Sequence, residues 1–435
     1  MAVLKQTLLA ALATTSLPQS SNSLYRSRPD LAPPRLNITI PATNPNGSEY
    51  VFIAPYSMGG TIERPGPYIY RKDGDLVWAG TGYYAGFVAD FHPTIYHGKT
   101  VLQAFQGNMD SSHGEGFEND IATGELIFEW NALEHVDPSE SLVTLDSTKA
   151  NSGLSAAEAW DFFHINSLDK NAEGDYLVSS RHTSTIFKIN GTDGSIIWRL
   201  GGKYPSFSQI GNWTFGFQHD ARWQPQLNQP GTEVISFFDN SGDGTITFNE
   251  LSRALVVQIN RTDSTATVLR KATAPYDLQA QSQGNTQLLS DDRIFVNWGS
   301  EGAFTEFDAD NRIIYHAFIQ TGSVSYRGFL ANWTATPKEI PALVALKTAS
   351  DLVELYVSWN GDTETLAWRF YYVNEQKKTR IGEVDRDSFE TAFTWEPKFE
   401  LSSDATFVAE AIGVNGESLA RTGLTATTVD IKVLA

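Results

Sequence analysis

The chain contains no cysteine among its 435 residues. This absence excludes disulfides, thiolate nucleophiles and zinc–thiolate centres, so the folded state must be held together by its core. Basic residues are also few, since 32 Lys and Arg stand against 51 Asp and Glu for a formal net charge of −19. A charge of this sign argues against nucleic acid and against anionic membrane surfaces as partners.

Long apolar runs and phosphate-binding glycine loops are missing as well. No segment reaches the length of a hydrophobic membrane span. Gly201 and Gly202 follow a predicted strand but open no helix, which argues against a dinucleotide-binding turn. Helical periodicity is scarce, whereas the 11 Trp, 16 Tyr and 25 Phe favour strands.

The first 20 residues have the pattern of a secretory signal peptide, with Lys5 as the positive residue and a short apolar stretch at 8–17. A disordered N-terminus is the alternative interpretation. Six Asn-x-Ser/Thr triplets predict N-glycans, at Asn37, Asn46, Asn190, Asn212, Asn260 and Asn332. We therefore expect a secreted, extracellular glycoprotein.

A weak internal repeat predicts the fold. Four segments share a polar turn followed by an alternating apolar strand: 72–78 (KDGDLVW), 122–130 (ATGELIFEW), 192–198 (TDGSIIW) and 308–315 (DADNRIIY). The turns carry Gly or Asn where a positive φ is needed, and short strands that recur at tens of residues are typical of propeller blades. A β-sandwich with hairpins is the alternative architecture.

The repeat stops near Pro337, which divides the chain into a predicted propeller at 21–337 and a smaller domain at 338–435. Four strands are predicted in the second domain, at 352–359, 366–372, 392–395 and 405–412. Their spacing resembles an immunoglobulin- or fibronectin-like sandwich. The predicted class is therefore all-β, with a propeller followed by a small β-sandwich.

Three segments place chemically capable side chains at the ends of predicted strands: 163–167 (FHINS), 179–182 (SSRH) and 217–222 (FQHDAR). Such side chains converge on a central channel when strands are arranged radially. A neutral imidazole is a capable nucleophile and arginine binds anions through a planar fork, which together suit transfer of a tetrahedral oxyanion group. His182 alternates with Arg181 on the predicted strand, so we expect it to face away.

The stretch 161–240 resembles the secreted fungal branch of the arylsulfotransferase family. The resemblance is carried by the order of these segments: 161–167 (DFFHINS), 176–181 (YLVSSR), 197–202 (IWRLGG), 218–222 (QHDAR), 238–240 (FDN), 282–285 (SQGN), 298–299 (WG), 304–307 (FTEF), 326–329 (YRGF), 357–361 (VSWNG) and 389–391 (FET). It implies a six-bladed β-propeller with a site in its central channel.

The resemblance also implies a reaction. Family members move a sulfuryl group from an aryl sulfate to a phenol through a sulfohistidine, without a nucleotide cofactor. By motif, His219 corresponds to the sulfurylated histidine, and His164, Asn166 and Arg181 correspond to residues that hold the sulfuryl oxygens and assist proton transfer. Sulfuryl transfer resembles phosphoryl transfer, in which positioning and cationic donors do most of the catalysis.

Other roles stay open for the same residues. His219 is alternatively a buried structural histidine, and Asn166 a bridge between backbone groups. Arg181 is alternatively the ion-pair partner of a blade carboxylate such as Asp161 or Asp220.

The sequence departs from the family at one place. Members carry a longer segment between the stretch matching 113–116 (HGEG) and the strand matching 117–130, and an Asp-x-His-Glu-Phe motif within it. Here about one blade's worth of sequence is missing from that position. His92 and His113 are the candidate substitutes for the missing histidine.

A second motif predicts calcium. Residues 239–250 (DNSGDGTITFNE) match the loop of an EF-hand, with oxygen ligands expected from Asp239, Ser241, Asp243, Thr245 and Glu250. The flanking residues 233–238 and 254–259 read as strands rather than helices, so an acidic hairpin loop is the alternative.

Two hypotheses from different classes follow. The first is a secreted aryl sulfotransferase that requires no cofactor and acts through His219. The second is a catalytically silent propeller that binds a ligand and, in one version, calcium. A calcium-dependent propeller hydrolase is a weaker third hypothesis, because it would need carboxylates where the sequence places histidines and arginine.

Overall fold

The computed structural model describes residues 25–45, 47–57, 62–84, 87–107, 115–119, 123, 125–145, 153–155, 159–348, 352–374, 377–402 and 404–429. The expected signal peptide at 1–20, Asn46 and His113 lie outside these residues. The described part of the chain contains no helix with the length and apolar content that crossing a membrane requires.

The described residues form an all-β protein. Its strands, in chain order, are β1 (Leu36–Ile40), β2 (Glu49–Ser57), β3 (Tyr68–Tyr70), β4 (Leu76–Ala79), β5 (Phe87–Tyr96), β6 (Lys99–Gly107), β7 (Glu115–Asn119), β8 (Leu126–Asn131), β9 (Ile165–Lys170), β10 (Tyr176–Ser180), β11 (Thr185–Ile189), β12 (Ile196–Gly201), β13 (Ser208–Ile210), β14 (His219–Trp223), β15 (Thr232–Asp239), β16 (Arg253–Asn260), β17 (Thr265–Thr273), β18 (Asn285–Leu288), β19 (Ile294–Asn297), β20 (Ala303–Phe307), β21 (Ile313–Ile319), β22 (Ser323–Asn332), β23 (Ala342–Lys347), β24 (Val353–Ser358), β25 (Ala367–Asn374), β26 (Lys377–Asp385), β27 (Glu390–Trp395), β28 (Thr406–Ile412), β29 (Ser418–Arg421) and β30 (Thr425–Val429). Single turns of 3₁₀ helix cover Ala132–Glu134, Pro138–Glu140, Pro225–Leu227 and Gly299–Glu301.

Four of the sheets form blades in a propeller-like arrangement. The first blade has the strand order β22-β2-β3-β4, the second β9-β10-β11-β12, the third β14-β15-β16-β17-β13 and the fourth β18-β19-β20-β21-β1. The inner strands β9, β14, β18 and β22 lie at the start of each order, and contacts run from β9 to β14, on to β18 and then to β22. The starts of these strands therefore converge on one axis.

The N-terminal part of the chain helps to close this arrangement. Strand β1 pairs antiparallel with β21 at the outer edge of the fourth blade, and β2 pairs antiparallel with β22 in the first blade. Each of these two blades therefore combines strands from both ends of the propeller sequence, which joins the ends through backbone hydrogen bonds.

The predicted repeat turns are confirmed where the structure describes them. Gly74, Gly194 and Asn311 have φ values of 88°, 73° and 62°, in the left-handed region that favours these residue types. Each is followed by a predicted strand, β4, β12 and β21 respectively. Turn chemistry and alternation of apolar residues therefore specified these hairpins locally.

The stretch between the first and second blades forms two hairpins instead of larger sheets. Strand β5 pairs only with β6, and β7 only with β8, in the described part of the chain. This is the position at which we expect about one blade's worth of sequence to be missing. Of the expected six blades, four are present as sheets of four or five strands.

The core lies between neighbouring blades. Leu177 of β10 and Ile235 of β15 belong to one buried apolar cluster, which joins the second blade to the third. Tyr68 of β3 and Phe295 of β19 belong to another, which joins the first to the fourth. Each such side chain contributes about 1.5–3 kcal/mol when it is removed from water, so the blades stabilise one another through these faces.

The C-terminal residues form a separate sheet with the order β26-β25-β28-β30-β23-β24-β27, in which β29 also pairs with β28. The four strands expected here are confirmed as β24, β25, β27 and β28. Strands β23, β26, β29 and β30 were not predicted. Two of them, β23 and β30, pair in parallel, a long-range pairing that no local pattern indicates.

Specific contacts fix this sheet against the propeller. Phe389 is 2% exposed and belongs to the core cluster of the first and fourth blades. The side chain of Asn360 donates to the carbonyl of Ala79 at 3.0 Å and accepts from its amide at 2.9 Å. Glu390 accepts hydrogen bonds from the backbone and hydroxyl of Ser27. The C-terminal sheet is therefore docked through matched polar groups as well as apolar area.

We expect Asn360→Ala to lower the free energy of unfolding by about 1–3 kcal/mol, because it leaves the buried amide and carbonyl of Ala79 without partners. Urea denaturation followed by tryptophan fluorescence would measure the change. Asn415→Ala, at an exposed turn, is the matched control and should stay within about 0.5 kcal/mol of wild type. Equal stability of the two variants would contradict this docking role.

Candidate active site

The converging strand ends bring together the four residues selected from the sequence. His219 is the first residue of β14, His164 immediately precedes β9, Asn166 lies within β9 and Arg181 immediately follows β10. The backbone amide of Arg181 donates to the carbonyl of His164 at 3.0 Å. Asn166 donates to the carbonyl of Gln218, the residue before His219, at 2.7 Å. The inner edges of the second and third blades therefore hold all four.

His219 is 1% exposed and has both ring nitrogens engaged. Its Nδ1 lies 2.7 Å from Oδ1 of Asn240, whose own amide group donates to the carbonyls of Ala280 and Gln283. Asn240 therefore offers an acceptor, which places the ring proton on Nδ1. The backbone amide of Gln283 donates to Nε2 at 3.1 Å, so the lone pair lies on that nitrogen.

The surroundings of His219 keep its imidazole neutral. Burial holds its pKa well below the usual range, and the nearby cations Arg327 and Arg181 lower it further. A neutral ring with a fixed tautomer is the form in which histidine acts as a nucleophile. Nucleophilic attack from Nε2 requires release of the hydrogen bond from Gln283.

His164 is held differently. Its Nδ1 donates to Oδ2 of Asp161, a side chain that is only 6% exposed, whereas the His164 side chain is 34% exposed. His164 has a φ of 54°, an uncommon value for a non-glycine residue that turns the chain just before β9. The open face of this ring, rather than that of His219, is the one that solvent reaches.

Arg181 has no carboxylate partner among the described residues. Its guanidinium donates to Nε2 of His182 at 2.8 Å and to the carbonyl of Gln281 at 2.9 Å, and it lies over the ring of Phe217. Its Nε atom is buried without a partner, and burial lowers the pKa of Arg181. The expected alternative, an ion pair with Asp161 or Asp220, is not formed.

The prediction that His182 faces away from Arg181 is wrong. Residues 181–184 form a turn rather than a strand, so alternation does not apply, and the two side chains are hydrogen-bonded. Nδ1 of His182 donates to the carbonyl of Asp161, and its ring lies 4.6 Å from that of His164, centre to centre. Burial, followed by the charge of His164, lowers the pKa of His182 to about 4.

A second buried arginine lies beside Asn166. Arg327 is 3% exposed and donates to the carbonyls of Gly284 at 2.7 Å and Asn166 at 3.1 Å. Its Nε lies 3.6 Å from a carboxylate oxygen of Asp220, which also pairs with Arg222. This cation is compensated, in contrast to Arg181. Among the described residues, Oδ1 of Asn166 is buried without a hydrogen-bond partner, while its amide nitrogen donates to a backbone carbonyl.

Aromatic rings connect His219 to the surface. The ring of Tyr326 lies 6.2 Å from that of His219, and Phe87 lies 6.3 Å from Tyr326, each in an edge-to-face orientation. Phe87 also contacts Tyr56 at 5.0 Å and Phe105 at 6.4 Å, and Phe105 is 49% exposed. These rings give the channel side of β2, β5, β6 and β22 an aromatic wall.

The residues of the calcium motif are committed to other contacts. The loop connects β15 to β16 and has no helix on either side. Asp239 is fully buried, forms an ion pair with Arg253, and accepts hydrogen bonds from Ser241 and from the amide of Gly216. These bonds stabilise the charged form, although burial as the largest effect raises the pKa of Asp239.

The remaining expected calcium ligands do not join it. Asp243 accepts from the amides of Thr245 and Ile246, which closes a turn, and Glu250 is exposed. The carboxylates of Asp239, Asp243 and Glu250 do not form a metal-binding group in the described part of the chain. In this arrangement the charge of Asp239 is paired with Arg253, as expected for an acidic hairpin, and calcium binding by the loop stays a prediction.

One group of side chains does have metal-like spacing. Ligand atoms of Asp161, His164 and His182 all lie within 4.8 Å of one another. However, Nδ1 of each histidine already donates to Asp161, and Nε2 of His182 accepts a hydrogen bond from Arg181. A divalent cation would be placed next to this guanidinium, so the contacts fit a hydrogen-bonded group rather than a metal centre.

His92, a candidate for the histidine of the missing segment, lies apart from these residues. Its Nδ1 contacts the carbonyl of Asp90 at 2.9 Å and its ring packs on Phe329 at 4.8 Å. No contact joins it to His164, Arg181 or His219 in the described part of the chain.

The fold and the channel define a β-propeller with a histidine–arginine site. A family model described as arylsulfotransferase (ASST) matches residues 88–320, which is more than half of the chain. The chain therefore belongs to the arylsulfotransferase family. No curated protein matches it.

Solved structures with remote similarity include three bacterial proteins. A protein of unknown function from Bacteroides caccae is 11% identical, with 72% of this chain and 92% of that one covered and a TM-score of 0.25. The PQQ-bound aldose sugar dehydrogenase from Streptomyces coelicolor is 11% identical, with 61% of this chain and 84% of that one covered and a TM-score of 0.22. A catalytically inactive virginiamycin B lyase from Staphylococcus aureus with quinupristin is 11% identical, with 76% of this chain and 87% of that one covered and a TM-score of 0.24. Similarity at this level carries no argument about the present chain.

Sequence reasoning missed several residues that complete the site. Asp161, Asn240, Gln283 and Arg327 lie in segments that carry the family resemblance, but nothing local to those segments indicates their contacts. His182 was assigned to the wrong face. Position next to a strand end could have identified Asn240 and Gln283, which lie beside β15 and β18, whereas Arg327 lies within β22 and Asp161 lies four residues before β9.

Stability should fall at acidic pH through His182. It is neutral in the folded protein down to about pH 4, whereas an unfolded histidine titrates near 6.5, so its contribution is present above 6.5 and is lost as pH falls toward 4. Between pH 7 and 5, His182→Gln should remove about 2 kcal/mol of the pH dependence of unfolding. Urea titrations at both pH values would measure it.

His97→Asn, at an exposed turn with positive φ, is the matched control and should keep the wild-type pH dependence. An unchanged difference between pH 7 and 5 in His182→Gln would contradict a buried neutral ring at this position.

Proposed function

We propose that the protein is an aryl sulfotransferase that moves a sulfuryl group from an aryl sulfate to a phenol by way of His219. The observation that carries the proposal is the presence of a guanidinium without an ion-pair partner among the described residues, Arg181, near a buried neutral imidazole, His219. A cation without a carboxylate partner favours an anionic ligand, and a neutral ring favours nucleophilic attack. Membership of the arylsulfotransferase family supports the same chemistry.

In the first half-reaction, Nε2 of His219 attacks the sulfur of the aryl sulfate, and the bond from sulfur to the aryl oxygen breaks. His164 donates a proton to the departing phenolate oxygen. Arg181 and the amide of Asn166 are the groups proposed to hold the sulfuryl oxygens, on which negative charge is spread in the transition state. The proton stays on Nδ1 of His219 and remains hydrogen-bonded to Oδ1 of Asn240, which stabilises the ring as it becomes positively charged.

In the second half-reaction, the oxygen of an acceptor phenol attacks the same sulfur, and the bond from sulfur to Nε2 of His219 breaks. His164, now deprotonated, takes the proton of the acceptor. The site returns to its starting state, and the transfer needs no nucleotide, metal or other cofactor. The aromatic wall of Tyr326, Phe87 and Tyr56 supports aryl groups as both donor and acceptor.

The architecture proposed for the family is a six-bladed ring followed by a sandwich. The two hairpins β5–β6 and β7–β8 occupy the chain position at which the remaining two blades are expected, and β5 contacts the inner strand β22. The C-terminal sheet supplies the strands from which an immunoglobulin-like sandwich is built.

We also propose that the protein works outside the cell. The absence of cysteine does not oppose this, since the core between blades stabilises the fold without disulfides. The acceptor asparagines within the described residues are exposed or half-exposed, as N-glycosylation requires: Asn37, Asn190, Asn212, Asn260 and Asn332.

The direct test is to trap the intermediate. Purified protein incubated with 4-nitrophenyl sulfate in the absence of acceptor should carry one sulfuryl group on the peptide that contains His219, detected by mass spectrometry. Addition of phenol should discharge it. His219→Gln should show neither the adduct nor transfer, whereas His97→Asn, at an exposed turn, should behave as wild type.

An adduct that maps to His164 instead would overturn the assignment of the nucleophile, because that ring is the more exposed of the two. Absence of any adduct and of nitrophenol release across a donor panel would overturn the enzyme proposal and favour a propeller that only binds its ligand.

We expect removal of the Arg181 guanidinium to slow transfer without preventing folding. We expect Arg181→Ala to raise the barrier to transfer by about 2–4 kcal/mol, since an electrostatic donor aimed at developing charge is lost. Steady-state kinetics with 4-nitrophenyl sulfate and phenol would measure kcat. Arg312→Ala, whose side chain is 73% exposed, is the control and should retain wild-type kcat. A loss below about threefold in Arg181→Ala would refute the role, because it corresponds to less than 1 kcal/mol.

A further inference from the structure

We infer that Asp161 is a positioning residue that fixes the tautomer of His164, so that Nδ1 carries a proton and Nε2 is the atom that exchanges a proton with the substrate oxygen. The inference rests on the proposed function for its catalytic consequence, but its structural content stands on the contacts of Asp161 alone. Neither the family match nor the motif assigns a role to this carboxylate.

The geometry around Asp161 leaves little freedom. Its side chain is 6% exposed, and Oδ2 accepts from Nδ1 of His164. The same oxygen lies 3.9 Å from Nδ1 of His182, which donates to the Asp161 backbone carbonyl. The described side chains that approach the carboxylate are therefore the two histidines.

The carboxylate is not accounted for by other structural roles. Arg181 bonds His182 and Gln281 rather than Asp161, and the contacts of the histidines do not fit a metal. A buried carboxylate that lacks an arginine or lysine partner is costly to retain, and the hydrogen bond from His164 is what stabilises it.

A carboxylate that accepts from one ring nitrogen leaves the other as the functional atom. With the proton of His164 held on Nδ1 by Asp161, a protonated ring donates from Nε2 and a neutral ring accepts at Nε2. The same carboxylate stabilises the positive charge that the ring carries before it protonates the leaving oxygen. Without it, the neutral ring is free to adopt the opposite tautomer or to turn.

The position of Asp161 also couples the two halves of the site. Its backbone carbonyl accepts a hydrogen bond from Nδ1 of His182, and Nε2 of His182 accepts one from the guanidinium of Arg181. The backbone amide of Arg181 in turn donates to the carbonyl of His164. One residue thereby orients the proton donor through its side chain and the anion clamp through its backbone. An Asp161→Asn substitution keeps the backbone contact and removes the carboxylate that accepts the hydrogen bond from His164.

The test compares leaving groups. In Asp161→Asn, the single-turnover rate of the first half-reaction with phenyl sulfate, measured without acceptor, should fall about 10²–10⁴-fold, because this phenolate needs a proton to depart and general acid assistance is worth that much. For 4-nitrophenyl sulfate, whose leaving group departs as an anion, the fall should stay within about tenfold. Asp161→Glu, which retains a carboxylate, should recover part of the loss.

An equal loss for both donors would overturn the inference, because a general structural defect does not depend on the leaving group. Asp362→Asn, a buried carboxylate paired with Arg386 in the C-terminal sheet, is the matched control and should leave both rates unchanged.

A second measurement does not depend on activity. Long-range ¹H–¹⁵N correlation spectra of the full chain, in which His164→Gln assigns one of the 8 histidines, report the tautomer directly. Wild type should show His164 protonated at Nδ1 when neutral, and Asp161→Asn should show loss of that preference. An unchanged tautomer in Asp161→Asn would overturn the inference even if wild type transfers sulfuryl groups. If wild type transfers none, only the proposed function fails, and the spectra still decide the role of Asp161.

Discussion

The inner strands of four blades meet at one buried guanidinium, that of Arg327. Arg327 lies in β22 and donates to the carbonyls of Gly284, just before β18, and of Asn166 in β9. It also pairs with Asp220 of β14. A charge removed from water must be paired and hydrogen-bonded, so the four strands are held at the distances that satisfy it. The rest of the channel depends on this arrangement, because His164, Asn166 and His219 are placed by the same strands.

The two arginines near His219 differ in their charge partners and therefore in their roles. Arg327 is compensated by Asp220 and serves the fold, whereas Arg181 has no carboxylate among the described residues. Asp243 and Asp161 act on Arg181 electrostatically but form no ion pair with it, so its guanidinium is not committed to a carboxylate. Burial, and to a smaller extent the two arginines, lowers the pKa of His219 and keeps its ring neutral. The site thereby combines a cationic surface for an anion with an uncharged nucleophile.

Residues 281–283 cover His219 and also occupy the nitrogen from which it would attack. The amide of Gln283 donates to Nε2, and the carbonyl of Gln281 accepts from Arg181. The stretch before β18 therefore contacts both the proposed nucleophile and the proposed anion clamp. Substrate binding has to exchange these internal hydrogen bonds for hydrogen bonds to the sulfuryl group, which links entry of the donor to exposure of the nucleophile.

The sequence by itself determined features that depend on short stretches of chain. Turn residues such as Gly74 and Asn311 and the alternation that follows them specified hairpins, since backbone φ and strand period are local properties. The same strand-end logic selected His164, Arg181 and His219, because residues at the starts and ends of radial strands must converge. Local patterning also identified the strands β24, β25, β27 and β28 of the C-terminal sheet.

Only the tertiary structure decided which partners these groups have. The pairing of β1 with β21 and of β23 with β30 joins residues far apart in the chain, which no local pattern encodes. The contacts of Asp239 depended on Arg253 and Ser241 reaching it, and the absence of an ion pair at Arg181 depended on which carboxylates lie near it. Charge compensation is a property of three-dimensional distance, so the sequence supplied the charged residues and the fold decided which of them remain available for chemistry.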